Sequence, residues 1–171
     1  RLVHLMRYEK AYLFVVDRER HVLCGHRMAG LDAGTVPFEG IEVPLDPRLS
    51  ASARAVITGQ PVLVNDVEHT DEPVHLPLVQ AHQVRSFVAV PLRVREQVLG
   101  ALSVTASDVG RFDQGDVDLL TAVASHVALA IDKAESFQTI EDLSRGLGDK
   151  VRVRTEQLRS TNEGLRTAYR D

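Results

Sequence analysis

The sequence predicts an α+β fold, in which an antiparallel sheet carries packed helices and is followed by a long C-terminal helix. Three observations predict it: two stretches resemble β-hairpins, these stretches are almost continuously apolar, and a strongly capped helix starts at Asp113. The chain has 171 residues, 44% hydrophobic and 26% charged, which is enough for one globular domain with an appendage. This composition excludes a disordered or purely fibrous chain.

The two hairpins supply the centre of the predicted sheet. The first pairs residues 11–16 with residues 21–27, and the second pairs residues 86–94 with residues 97–105. Their apolar runs are nearly uninterrupted, so we expect helices on one face and helices or loops on the other. A sheet covered on both faces leaves room for a cavity.

Shorter signals lie between the hairpins. They predict a brief strand at 41–43, a helix at 50–58 that ends at Gly59, and a second brief strand at 62–64. Residues 65–83 are mostly polar and predict a long loop over one sheet face, with at most two helical turns near 76–81. This loop contains His69, His75 and His82.

The last part of the chain has the clearest helix start. Asp113 is a predicted N-cap, Asp116 stands three residues later as in a capping box, and Phe112 with Val117 forms a hydrophobic staple. Apolar residues then recur at helical spacing with no proline to the end of the chain. The predicted helix is too long to pack on one small domain.

Beyond Phe137 the apolar spacing becomes heptad-like, and two interpretations remain open. One is a parallel dimeric coiled coil kept marginal by Arg154 and by Gly146 and Gly148; the other is a helix that frays near Gly146. The residues predicted to form the dimer are Leu120, Val127, Ile131, Phe137, Leu147, Val151, Leu158 and Leu165.

The element order and three segments resemble a bacterial GAF domain. The segments are "TGQPVLVNDV" (58–67), "VRSFVAVPLRVREQVLGALSV" (84–104) and "RFDQGDVDLLTAVASHVALAI" (111–131). The resemblance implies a six-stranded antiparallel sheet, with helices that include the first and last on one face and a small-molecule pocket on the other. It also implies a sensor or dimerisation module that is not usually catalytic. We expect this domain at 1–135, beginning with a short helix at 2–8.

The tail carries a second resemblance, through Val151, Arg154-Thr155, Leu158, Asn162 and Leu165. It looks like the signalling helix that joins sensor domains to effectors, and we expect that helix at 136–171. The implied effector, outside this chain, is a histidine kinase of a two-component system, or a diguanylate cyclase or HD-GYP phosphodiesterase of cyclic di-GMP signalling. Because the sequence opens with Arg1 and lacks a leader, we expect a piece of a longer protein.

Strand alternation predicts the ligand-binding residues. If Leu13 faces the helical layer, then Tyr12 and Phe14 face the cavity. The loop brings His75 and His82, and Ser86 follows at the entry to the next strand. The predicted ligand-binding set is Tyr12, Phe14, His75, His82 and Ser86. The alternatives are core packing for the aromatic rings, solvated histidines, and a serine hydroxyl bonded to backbone, as in a ligand-free dimerisation module.

Several cofactors are disfavoured by the residues. The loop has no cysteine, which excludes covalent bilin attachment there. Phe112 and Asp116 match the cyclic-nucleotide pattern of GAF domains, but Val117 replaces its glutamate and no Asn-Lys pair precedes it. No histidine pair has the spacing of a metal or haem site. The ligand is therefore unknown, and no metal site is predicted.

The cysteine content and the charge disfavour other functions. Cys24 is the one cysteine, and methionine sulfoxide reduction, which one GAF-type family performs, normally needs a second, so we expect no enzyme in this chain. A reducing cytoplasm fits a single cysteine. The net charge of −4 disfavours nucleic acid, and no uncharged stretch reaches the about 20 apolar residues that a membrane span needs.

Overall fold

The computed structural model describes residues 8–30 and 38–168 of the chain. The strands are β1 (Lys10–Asp17), β2 (Val22–Gly30), β3 (Glu42–Pro44), β4 (Val62–Val64), β5 (Ser86–Val94) and β6 (Gln97–Ala106). The described helices are α1 (Ala51–Thr58), α2 (Leu76–Ala81) and α3 (Gln114–Ala168). Within the described residues, no helix combines the length and the apolar character needed to cross a membrane.

The six strands form one sheet in the order β3-β2-β1-β6-β5-β4, and all neighbours are antiparallel. This confirms the predicted fold class and both predicted hairpins. Gly100 on β6 lies opposite Val15, where β6 comes very close to β1. A side chain at Gly100 would collide with the carbonyl oxygen of Phe14, so the close approach of the two central strands requires glycine.

Helix α1 is set by its two ends. Ser50 is the N-cap and accepts a hydrogen bond from the Ala53 amide, while Gly59 ends the helix in the left-handed conformation at φ 67°. Its buried residues, Ala51, Ala53, Ala55 and Val56, are small enough to let the helix lie close to β5 and β6. The helix therefore covers one face of the sheet at its centre.

The other face of the sheet is mostly apolar. Val88 and Val104 pair across β5 and β6, and both are fully buried on the side opposite α1. Along the first turns of α3, Val117, Leu120 and Ala124 are buried as well. Strand alternation points Val88 and Val104 away from α1. These strand residues and the buried residues of α3 therefore pack against each other, and α3 covers this face.

The start of α3 is held by reciprocal hydrogen bonds. The Asp116 amide donates to Asp113 Oδ1 at 3.1 Å, and the Asp113 amide donates to Asp116 Oδ2 at 3.0 Å, as the predicted capping box requires. Tyr8 lies against the same turn. Its hydroxyl donates to Asp116 Oδ1 at 3.1 Å, and its ring centroid lies 5.4 Å from that of Phe112.

The chain divides into two compact units, residues 1–129 and residues 130–171. Helix α3 is assigned without a break from Gln114 to Ala168, and Gly146 and Gly148 both lie within it. The predicted dimer residue Leu120 is fully buried in the first unit, so the structure corrects that assignment: Leu120 is a core residue of its own domain.

The other predicted dimer residues have different surroundings. Val127 and Ile131 are half-buried, whereas Phe137 is 68% exposed. The side chains of Leu147, Val151, Leu158 and Leu165 lie outside the described residues, as does most of the helix predicted at 2–8.

Candidate functional site

A cavity of about 60 Å³ lies between the sheet and the elements that cover it on the α1 side. Its walls come from β1, β5 and β6 below, from the start of α1 at one side, and from the segment around α2 above. The lining residues are Tyr12, Phe14, Ser50, Ala51, Ser52, His75, Leu78, Val79, His82, Val84, Phe87, Ser103 and Thr105. None of these thirteen carries a carboxylate, an ammonium or a guanidinium group.

The floor of the cavity is set by strand alternation. Tyr12 pairs with Ser103 across β1 and β6, and Thr105 pairs with Phe87 across β6 and β5. Residues two apart on a strand share a face, so Phe14 also points to this side. The floor thus alternates aromatic rings with hydroxyl groups.

The cavity lies between two apolar clusters. One cluster holds Tyr12, Phe14 and Phe38. The ring centroid of Phe38 lies 5.1 Å from that of Tyr12 and 5.1 Å from that of Phe14. The second cluster includes Val84 and Phe87, together with Ala51 of α1. These clusters fix the walls and keep most of the cavity surface apolar.

The N-terminus of α1 opens into the cavity through Ser50, Ala51 and Ser52. Ser52 Oγ lies 3.1 Å from Ser103 Oγ, which ties the helix start to the sheet beside Tyr12. The first amides of an α-helix have no partner inside the helix. Among the described residues, the amides of Ala51 and Ser52 have no other hydrogen-bond acceptor either.

The covering segment contributes two histidines, His75 at the start of α2 and His82 at its end. His82 is 4% exposed, and its ring meets the Tyr12 ring edge-on at a centroid distance of 5.2 Å. Lys10 fixes the backbone here, because its Nζ donates to the His82 carbonyl at 3.0 Å. Burial lowers the pKa of both histidines, and the charge of Lys10 lowers that of His82 further.

Three side chains that line the cavity each carry a buried polar atom without a hydrogen-bond partner in residues 8–30 and 38–168. These atoms are Tyr12 Oη, His75 Nδ1 and His82 Nε2. Burial raises the pKa of Tyr12 to about 12; the nearby Thr105 hydroxyl offsets this in part without reaching hydrogen-bond geometry. An unsatisfied buried polar group costs about 1–3 kcal/mol, so three around one cavity form an unusual concentration.

Four of the five predicted ligand-binding residues, Tyr12, Phe14, His75 and His82, line this cavity. Ser86 does not, and the structure corrects its placement. Its hydroxyl donates to the Asp108 carbonyl at 2.6 Å, which is the backbone hydrogen bond given as the alternative.

Sequence reasoning missed the hydroxyl residues Ser50, Ser52, Ser103 and Thr105. Two of them left a signal in the sequence. Ser103 and Thr105 are polar residues at alternate positions of an otherwise apolar strand, and that spacing places them on one face. Ser50 and Ser52 left a weaker signal, since a serine at a helix start is explained by capping alone.

Other chemistry-bearing residues lie away from the cavity. Asp66, Glu68 and His69 have potential ligand atoms within 4.8 Å of one another, but Arg85 already pairs with both carboxylates, at 3.4 and 3.2 Å. Cys24 on β2 pairs with Val15 on β1. It therefore lies on the sheet face opposite Tyr12 and Phe14. Neither feature contributes to the cavity.

The fold and the cavity together define a GAF-type domain. The sequence profile of the GAF domain matches residues 1–132, so the chain belongs to the GAF domain family, as the sequence resemblance indicated.

Two curated proteins to which the chain is similar in sequence are signalling proteins. The chain is 27% identical over 126 residues to the circadian input-output histidine kinase CikA of Thermosynechococcus vestitus, covering 71% of this chain and 17% of that protein. It is 26% identical over 170 residues to the formate hydrogenlyase transcriptional activator FhlA of Escherichia coli, covering 94% of this chain and 25% of that protein. The chain thus spans a quarter or less of either relative.

Among solved structures, a similar fold occurs in an enzyme. The free methionine-R-sulfoxide reductase of Neisseria meningitidis, solved in complex with its substrate, superimposes with a TM-score of 0.65 at 18% identity. The match covers 79% of this chain and 74% of that one. At this identity the likeness concerns the fold alone.

Proposed function

We propose that this chain is the sensor module of a signalling protein, which binds a small molecule in the cavity and passes the signal along α3 to an effector. One observation carries the proposal: three buried polar atoms of the cavity lining have no hydrogen-bond partner in the part of the chain that the structure describes. A cavity that only served packing would leave no reason to bury such groups unpaired. A ligand that bonded them would remove the cost.

The route from the cavity to α3 runs through the start of β1. Tyr12 lines the cavity, and four residues earlier Tyr8 donates its hydrogen bond to Asp116 in the capping box of α3. Between them, Glu9 accepts hydrogen bonds from the amide and the hydroxyl of Ser107, at 3.0 and 2.8 Å. A ligand that shifts β1 at Tyr12 therefore acts on the first turn of α3 through a continuous set of contacts.

We further propose a parallel homodimer formed along α3 and continued as a coiled coil. Leu119, Leu129, Phe137 and Ile140 on this helix are 44–68% exposed. At 100° per residue, Leu119 and Leu129 of the first unit lie about 80° apart on the side opposite the buried Leu120, and Phe137 and Ile140 of the second unit lie about 60° apart. An apolar stripe at helical spacing suits a second copy of the same helix.

We also propose that catalysis belongs to the effector and not to this chain. Cys24, the one cysteine, lies on the sheet face away from the cavity, so its thiol is not placed to attack a bound sulfoxide. The similarity to a histidine kinase and to a transcriptional activator supports an effector of either kind, and a diguanylate cyclase or HD-GYP phosphodiesterase fits the same architecture. Cytoplasmic placement fits a chain without a disulfide partner for its cysteine.

The competing function is a ligand-free dimerisation module. Native mass spectrometry of the purified protein, followed by thermal-shift screening with small metabolites, separates the two functions. If the chain is a sensor, a ligand is either retained on purification or found in the screen, and it raises the melting temperature. Tyr12→Phe should then reduce that rise. A screen without any such ligand, combined with an unchanged domain structure, supports the dimerisation module.

The dimer is tested by light scattering, which should give twice the protomer mass of 18.9 kDa. Phe137→Asp places a charge on the exposed apolar stripe and should shift the protein towards monomer without unfolding residues 8–129. Gln138→Asp adds the same charge at the neighbouring exposed position, about 100° around the helix from Phe137 and on the side away from Ile140, and is the matched control. A monomeric parent protein at tens of micromolar, or equal effects of the two variants, contradicts the stripe as the interface.

A further inference from the structure

The polar groups at the cavity can all donate a hydrogen bond, and this property points to a ligand class. The amides of Ala51 and Ser52 only donate, and they lie at the positive end of the α1 dipole. Tyr12 Oη has no partner among the described residues, and the side chain is 5% exposed. His82 Nε2 is in the same situation on a side chain that is 4% exposed.

These groups come from residues that neighbour one another along the cavity wall. The hydroxyls of Ser52 and Ser103 hold the α1 terminus to the sheet at 3.1 Å, and Ser103 is the cross-strand neighbour of Tyr12. The Tyr12 ring in turn meets the His82 ring at 5.2 Å. The free amides, the phenol and the imidazole thus border the same space.

The remaining wall restricts the rest of the ligand. Phe87, Val84 and Leu78 line the cavity with apolar surface, and no lining residue offers a cation or an anion. A volume of about 60 Å³ holds about four to six water-sized groups, since each needs about 10–15 Å³. The space suits a short chain and excludes a nucleotide or a tetrapyrrole in this conformation.

We propose that the cavity binds a short-chain monocarboxylate, with its carboxylate against the N-terminus of α1, Tyr12 and His82, and with its alkyl part against Val84 and Phe87. A helix N-terminus with free amides and neighbouring neutral donors stabilises an anion without a lysine or arginine. This inference rests on the proposed sensor function and names the ligand class of the same site.

The test is calorimetric titration and thermal shift of the full 171-residue chain with acetate, propionate and butyrate. Sodium chloride at the same concentration corrects for ionic strength. Propionamide is the matched uncharged ligand, and propylamine is the matched cation. We expect binding of at least one carboxylate and a clearly weaker response to the amide and the amine. Equal binding of propionate and propionamide, or no binding of any carboxylate, overturns the proposal.

Two pairs of variants locate the site. Tyr12→Phe should weaken carboxylate binding about tenfold, because it removes one hydrogen bond to a charged group. Ser86→Ala removes a buried hydroxyl that lies outside the cavity and should leave the affinity unchanged. Ser52→Asp should abolish binding by placing a carboxylate at the first turn of α1, where it also favours the helix, whereas Ser52→Asn changes the shape without the charge.

The outcomes separate this inference from the sensor function. If an uncharged or cationic molecule binds and Tyr12→Phe weakens it, the carboxylate assignment is wrong and the sensor function stands. If carboxylates bind but neither Tyr12→Phe nor Ser52→Asp changes the affinity, they bind elsewhere and the assignment is again wrong. If no small molecule binds at all, both proposals fail.

Discussion

The two faces of the central sheet are built from the same strands and differ in how completely their groups are satisfied. On the α3 face, Val88, Val104 and Leu120 are fully buried apolar side chains. On the cavity face, alternate positions of the same strands carry Ser103 and Thr105 beside aromatic rings. The α3 face buries mainly apolar side chains, and its buried Ser86 donates a hydrogen bond to the Asp108 carbonyl, whereas the cavity face buries polar atoms that lack partners in the described part of the chain.

Because of this difference, the two faces of the sheet contribute differently to the stability of the domain. Apolar burial contributes roughly 25 cal/mol per Å² whatever the partner, so the α3 face stabilises the domain without further conditions. Unpaired polar atoms reduce stability until something bonds them. The α3 face therefore stabilises the fold more than the cavity face does, and the cavity face is where the proposed ligand would add stability.

The largest expected effect comes from breaking the α3 face. Leu120→Ala should lower the free energy of unfolding by about 2–5 kcal/mol, because it leaves a void at a fully buried position. Leu49→Ala makes the same change at a 50% exposed leucine before α1 and should lower it by less than about 1 kcal/mol. Urea unfolding of the two variants measures both values, and similar losses would show that α3 does not form this core.

A second, smaller effect comes from exchanging the character of the two faces. Val88→Thr keeps the side-chain volume but buries a hydroxyl on the apolar face, and it should lower the free energy of unfolding by about 1–3 kcal/mol. Thr105→Val makes the reverse change on the cavity face and should be neutral or slightly stabilising without ligand. Thermal unfolding of both variants gives the two signs. A loss with Thr105→Val as large as that with Val88→Thr would show that the cavity face is fully satisfied.

The sequence predicted the helices, strands and caps better than it predicted the hydrogen-bond partners of the polar side chains. The hairpins, the Gly59 stop, the capping box at Asp113 and the short helix at 76–81 depend on local patterns, and the structure has them within about three residues. The facing of Tyr12 and Phe14 follows from strand alternation once the covered face is known.

What sequence reasoning could not supply were the partners of individual polar groups. Ser86 and Ser103 are both serines in apolar strands, but one bonds the Asp108 carbonyl and the other faces the cavity, and only the register distinguishes them. Leu120 likewise fits a coiled-coil position and a domain core equally well in a helical pattern. Its 0% exposure in a single chain decides for the core.

The smallest expected effect concerns pH and belongs to the cavity face alone. Burial lowers the pKa of His75 and His82, so the folded state stays neutral where the unfolded chain, with histidine pKa values near 6.5, already binds protons. Because the unfolded state then binds more protons, the free energy of unfolding should fall as the pH drops from about 7.5 to 5.5. Carboxylates titrate at lower pH and contribute little in this window.

Two substitutions of the same kind identify the group responsible for this pH dependence. Lys10→Met removes the positive charge that lowers the pKa of His82 and should make the decline between pH 7.5 and 5.5 shallower. Lys133→Met removes a charge from an exposed position of α3 and should leave the decline unchanged. Chemical unfolding at several pH values compares the three proteins. Parallel curves for all three would mean that the environment of His82 does not set the response, and the cavity face would then differ from the α3 face in polarity without differing in its sensitivity to protons.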